Sequence, residues 1–318
     1  MSDRAFKLVL SWGSGIVLVA LVGAFVIAAP TTFATPDNAR NILSQAAPGA
    51  LVAFGETIAL IVGEFDISVG YVASLCGVLF TGFMVNQHFG FTEAVLLTLA
   101  VAGSLGLISG LVVTRLGVNA LVGTLGVGIM ALGLNYLYGG GATIAGPTPN
   151  IVSQIGYGRS FGIPNVVLIW LALAVVLWLF SEGTVTGIHS RAVGGNQQSA
   201  RLASIKVRQL KTLAFVMSAL LAACGGMLIS AQLGSGEPTA GDGYLLDAFA
   251  AGFLGSGFYR AGEFSIPGTV VGVLILQVGY TGLAVLGQPT ALRYLFEGLI
   301  LIFALALSSV VRRMRASR

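Results

Sequence analysis

Residues 91–138 read FTEAVLLTLAVAGSLGLISGLVVTRLGVNALVGTLGVGIMALGLNYLY, and Glu93 and Arg115 are the only charges among them. A helix needs about 20 apolar residues to cross the hydrocarbon of a bilayer. Arg115 divides the stretch into two runs of that length, 91–114 and 119–138, and each reads as one membrane span.

Outward from this pair, further apolar runs lie at 8–29, 46–63, 67–86, 165–180, 211–231, 244–258, 264–286 and 291–311. The run at 8–29 has no small-x-small cleavage site after it and reads as a retained span rather than a signal peptide. The run at 244–258 is short and rich in Ala and Gly, which fits a half-span or broken helix. Composition agrees: 56% of the 318 residues are hydrophobic and 9% are charged, against roughly 25% charged in soluble domains. The 45 glycines fit close helix packing in lipid. The expected fold is an all-α integral membrane protein of about ten spans, forming one membrane domain over 1–318.

Lys and Arg collect in cytoplasmic loops, and their placement tests the count. With the amino terminus inside, Arg4 and Lys7, Arg115, the polar loop at about 182–210, Arg260 and the basic tail at 312–318 all fall inside. That loop carries Arg191, Arg201, Lys206 and Arg208, with Lys211 at its end. Arg40, Arg159 and Arg293 fall outside, with Glu237 and Asp242 in an outside loop. Both termini are expected in the cytoplasm.

Several enzyme signals fail on context. Gly158 to Gly162 matches G-x-S-x-G, but a nucleophile elbow needs a strand before the serine and a helix after it. The two histidines, His88 and His189, stand in loops on opposite sides and offer no zinc spacing. Cys76 and Cys224 fall in spans far apart in the chain and read as small core residues. No P-loop motif is present, so energy must come from a gradient or a partner. Neither a cofactor nor nucleic acid is expected.

Three segments carry more. Gly63-Glu64-Phe65-Asp66-Ile67-Ser68-Val69-Gly70 places two carboxylates between apolar runs. Such groups usually face a cavity or a protein interface, and flanking glycines suit a broken or sharply turned helix; a tight solvated turn is the alternative. The stretch from Thr124 to Gly141 is rich in small residues and reads chiefly as packing, with a glycine cluster at its end that permits positive φ. In the polar loop, Gly194 and Gly195 followed by Asn196 read as a turn and N-cap, with a short helix from near Gln197. Ala200, Leu202, Ala203 and Ile205 give that helix an apolar side, and Arg201, Lys206 and Arg208 give it charge. It could dock in a groove on a soluble partner or simply touch anionic lipid.

Together these segments resemble the permease subunits of bacterial ABC importers of the ribose, xylose and galactose type. That family carries G-G-I-D-L-S-V-G, matched by Gly63 to Gly70 with Glu64 in place of the second Gly. It carries P-F-I-x-T-L-G, which Asn119 to Gly126 resembles in its closing Thr124, Leu125 and Gly126, without the Pro and Phe. Its G-G-N-x-x-A-A-R-x-x-G-I-x-V loop resembles Gly194 to Val207, with Ser199 for the first Ala and Ser204 for Gly. A later block resembles Gly241 to Gly257, including Tyr244, Leu246, Asp247, Ala248, Ala250 and Ala251.

The resemblance implies a half-transporter in the bacterial inner membrane without its own ATPase. Its partners would be cytoplasmic ATPase subunits, a periplasmic sugar-binding protein and a second permease chain, identical or related. Gly194, Gly195, Asn196, Ala200, Arg201 and Ile205 would couple to the ATPase. Glu64, Asp66, Ser68, Thr124 and Asp247 are the candidate pathway residues. A branched-chain amino acid or nucleoside ABC permease is the near alternative. An ion-coupled secondary transporter is a further one, with Glu56, Asp247 and Glu297 as its candidate buried charges. Gly63-Glu64-Phe65 recurs at Gly262-Glu263-Phe264; the offset of six spans does not halve ten, and the echo is treated as coincidence.

Overall fold

The computed structural model describes residues 3–259 and 262–316, with side chains over 12–259 and 262–306. Arg260 and Arg318 lie outside the described residues, as do the side chains of Arg4, Lys7, Arg312, Arg313 and Arg315.

The described chain is helical almost throughout. Its helices are α1 (Asp3–Ala28), α2 (Pro36–Ile61), α3 (Val69–Val85), α4 (Phe91–Thr114), α5 (Ala120–Gly139), α6 (Asn150–Tyr157), α7 (Asn165–Gly183), α8 (Val185–Gly195), α9 (Gln197–Leu202), α10 (Val207–Leu233), α11 (Tyr244–Gly255), α12 (Ile266–Val285) and α13 (Thr290–Ala316). Four two-residue strands make two antiparallel ribbons: β1 (Ile144–Ala145) pairs with β4 (Ser235–Gly236), and β2 (Arg159–Ser160) with β3 (Ile163–Pro164). Among the described residues six helices, α2, α4, α5, α7, α10 and α12, are long and apolar enough to cross a membrane. Residues 12–28 of α1, with α3 and α11, are shorter apolar helices.

The chain forms two compact units, 47–245 and 1–46 with 246–318. In the first, α10 is the central element and packs on α3, α4, α6 and α8. Small residues let it do so. A Cβ on Gly106 of α4 would stand 2.6 Å from the Phe215 carbonyl oxygen of α10, so only glycine permits that crossing. α3 is buried along most of its length. By contrast α4, α5 and α7 turn large apolar side chains outward, among them Leu96, Val122, Ile129 and Val176. In a chain so poor in charge, that outward face is the surface lipid covers. In the second unit α1 packs on α12, and α12 on α13. Phe33, Ile42 and Val278 form its core, with Leu18, Val22 and Phe25 packed around them.

The helix bounds depart from the hydropathy reading where polar residues are amphipathic rather than exposed. α2 begins at Pro36, ten residues before the apolar run, because Pro36 and Asp37 start a helix well and Asn38, Arg40 and Gln45 are tolerated on its exposed side. α10 starts at Val207, one turn before the expected run, and the polar loop is itself helical in α8 and α9. The G-x-S-x-G match is a hairpin: Ser160 is in β2, and Phe161 and Gly162 form the turn with φ +54° and +76°. Gly140 and Gly141 do take positive φ, +63° and +75°. The Gly-Glu-Phe echo shares local geometry, since Gly63 and Gly262 stand at φ +80° and +81°, each just before a helix.

Candidate functional site

The turn between α2 and α3 is a buried polar cluster. Asp66 is 1% exposed, and Glu56, Ser68, Thr124 and Ser218 are also buried. The Asp66 side chain folds back on its own chain: Oδ1 accepts from the Ser68 N–H at 3.0 Å and from the Ser68 hydroxyl. This is an Asx turn, and it starts α3. The Asp66 N–H donates to the Glu56 carboxylate, at 3.2 Å to Oε2. At the next residue the Ile67 N–H donates to Thr124 Oγ1 at 3.0 Å, while Thr124 donates to the Ala120 carbonyl oxygen at 2.8 Å. Glu56 from α2 and Thr124 from α5 thus satisfy two backbone donors of this turn. Ser218 of α10 faces Asp66 without reaching hydrogen-bond geometry, and both Asp66 Oδ2 and Ser218 Oγ lack a partner.

Of the expected pathway residues, Asp66, Ser68 and Thr124 stand together here. Glu64 does not: two residues before Asp66, it turns the other way and forms an ion pair with Lys211 of α10. Asp247 belongs to the other unit, where the Tyr280 hydroxyl donates to it. The Arg293 guanidinium lies 4.2 Å from the centroid of the Tyr280 ring. Glu56, read from the sequence only as a possible ion-coupling charge, and Ser218, not singled out at all, complete the first cluster. No spacing in the chain links Ser218 to Asp66; α10 alone brings it there.

The coupling segment has the expected helix. The Asn196 side chain accepts from the Ser199 N–H at 3.0 Å and caps α9. Its residues divide by face. Ala200 and Ile205 turn into the protein, in an apolar cluster with Val62, Val193 and Val207. Gly194, Gly195, Asn196, Arg201, Leu202 and Ala203 are exposed, Leu202 at 83%. The supposed apolar side is therefore shared between interior and surface. Ser204 has φ +60°, a left-handed conformation, at the position where the resembling family has Gly.

Among the described residues no group of three or more His, Cys, Asp or Glu is placed to hold a metal. Cys76 and Cys224 are free, although α3 and α10 bring them within electrostatic reach of one another.

Comparison with known proteins places the chain. Residues 38–305 match the family model described as the branched-chain amino acid transport system / permease component. The ribose import permease protein RbsC of Bacillus subtilis (strain 168) is 33% identical over 87% of this chain and 86% of its own length. The D-allose transport system permease protein AlsC of Escherichia coli (strain K12) is 28% identical over 98% and 96%. The L-arabinose transport system permease protein AraH of the same strain is 30% identical over 92% and 88%. No solved structure matches. On the extent of these matches and on its membrane-length apolar helices, the chain is a multi-pass membrane protein and belongs to this family of transport permeases.

Proposed function

We propose that this chain is the membrane subunit of an ATP-driven importer of a monosaccharide in the bacterial inner membrane, with hydrolysis carried out by separate ATPase subunits. The observation that carries the sugar is the set of relatives named for ribose, D-allose and L-arabinose, each aligned over most of both chains. The chain acts as one permease domain of ten spans with both termini in the cytoplasm, and pairs with a second permease chain. Cytoplasmic ATPase subunits dock on the exposed residues at the end of α8 and on α9, Gly194, Gly195, Asn196 and Arg201, while Ala200 and Ile205 fasten that surface to the spans. A periplasmic binding protein delivers substrate on the opposite face. Asp66, Ser68 and Thr124, with Asp247, border the route. The family's description supports a second reading, a branched-chain amino acid as the cargo.

Two measurements test this. Affinity-purified chain is expected to retain an ATPase subunit, and Arg201→Glu to abolish uptake; a preparation without ATPase, together with uptake unchanged in Arg201→Glu, overturns the importer. A thermal-shift screen of the cognate binding protein with D-ribose, D-allose, L-arabinose, leucine and valine is expected to respond to a sugar, and a response confined to the amino acids overturns the sugar.

A further inference from the structure

Glu64 stands where the family motif has its second Gly, and its carboxylate is spent on no pathway contact. It forms an ion pair with Lys211, and the two side chains are only 16% and 11% exposed. The Lys211 ammonium also donates to Gln197 Oε1 at 3.0 Å, and Gln197 is the first residue of α9. Three segments thus meet at one ammonium: the α2–α3 turn, the coupling helix and the base of α10 that follows it.

Two further observations make this junction stiff. The backbones touch beside it, since a Cβ on Gly63 would stand 3.4 Å from Gly194 Cα. Under them Val62 from the α2–α3 turn, Val193 from α8, Ala200 from α9 and Val207 from α10 are packed as one apolar cluster, joined by Ile205. A charge pair held mostly out of water is lost at high cost when one partner is removed. Glu64 is thus fastened to α9, and it is two residues from Asp66.

We propose that the Glu64–Lys211 pair, joined by Gln197, is the latch that transmits movement of the coupling helix to the Asp66 turn. Glu64 is a positioning residue of the transport cycle rather than a lining residue of the pathway. The inference rests on the importer reading, in which α9 is the element the ATPase moves. Closely packed elements shift together as discrete bodies, and the latch fixes which body the turn belongs to.

The test uses the permease purified with its ATPase subunits, with hydrogen exchange followed in peptides covering 63–68 and 197–203, in the apo state and trapped with ATP and vanadate. In the wild-type complex trapping is expected to change exchange in both peptides. In Glu64→Gln and in Lys211→Met the response of 197–203 is expected to persist, while that of 63–68 is lost. The charge-swapped double variant, Glu64→Lys with Lys211→Glu, is expected to restore it. A merely structural pair would raise exchange with and without nucleotide alike. The latch is overturned if 63–68 still responds in both single variants, or if the swap fails to restore the response. If no ATPase is retained by the wild type, or neither peptide responds there, the importer reading falls and takes the latch with it.

Discussion

At the scale of single residues, two positions carry most of the local argument. Ser204 holds a left-handed backbone at φ +60°, which costs an ordinary L-residue roughly 1–2 kcal/mol. Glycine escapes that cost but loses about 0.5–1 kcal/mol to its greater freedom when unfolded. Ser204→Gly is therefore expected to hold or slightly raise the thermal unfolding midpoint in detergent, and Ser204→Val to lower it, with about 1–3 kcal/mol lost. A fall with Gly would show that the strain is not there. Asp66 is the second position. Its Oδ1 satisfies both donors of Ser68 inside a buried site. Asp66→Ala strands them and is expected to destabilise by about 1–3 kcal/mol. Asp66→Asn retains an acceptor and offers an amide donor to Ser218, whose hydroxyl oxygen lacks a partner. It should unfold at or above the wild-type temperature, and equal losses for Asn and Ala would show that the Asx turn is not the reason for this acid.

Among the elements, α10 decides the packing of its unit. Its Ala, Ser and Gly faces let α2, α3 and α4 approach at backbone distance, as membrane helices do when hydrophobic burial alone cannot drive association. The consequence is selective. Gly106→Ala places a methyl 2.6 Å from the Phe215 carbonyl oxygen, and overpacking of that kind costs about 1–3 kcal/mol. Gly133→Ala on α5 meets nothing within 4 Å and should be neutral, or stabilising by up to about 1 kcal/mol from helix propensity. Unfolding midpoints of the two variants check this directly, and similar midpoints would mean that the α4–α10 crossing is looser than described. α2 makes a related point about legibility. Its apolar half was visible in the sequence, but its first turns were not, because a hydropathy window discounts helix-forming polar residues that lie along one face.

At the scale of the whole molecule, the proposed topology places the β2–β3 hairpin and α9 on opposite sides of the membrane. Phe161 is fully exposed at the hairpin tip, and Gln198 is exposed on α9. Cys76 is buried and Cys224 partly so, which leaves them poor targets for a polar reagent. A membrane-impermeant maleimide is expected to label Phe161→Cys in intact spheroplasts and Gln198→Cys only after permeabilisation. Labelling both from outside would remove the coupling role of α9 together with the span count.

Sequence alone determined that this chain lives in a membrane as a helical bundle, because so few charges cannot solvate a protein of this length. It also placed the α9 helix and its Asn196 cap, since capping is a local hydrogen bond between near neighbours. Four motifs in order identified the transport family that the comparisons then bore out. What only the tertiary structure decided is which polar groups share a site. Asp66 meets Glu56, Thr124 and Ser218 because α2, α5 and α10 cross there, and Glu64, two residues away, faces Lys211 instead. In lipid every backbone polar group must find its partner inside the protein, and for a turn like this one those partners are chosen by helix packing, which no spacing along the chain records.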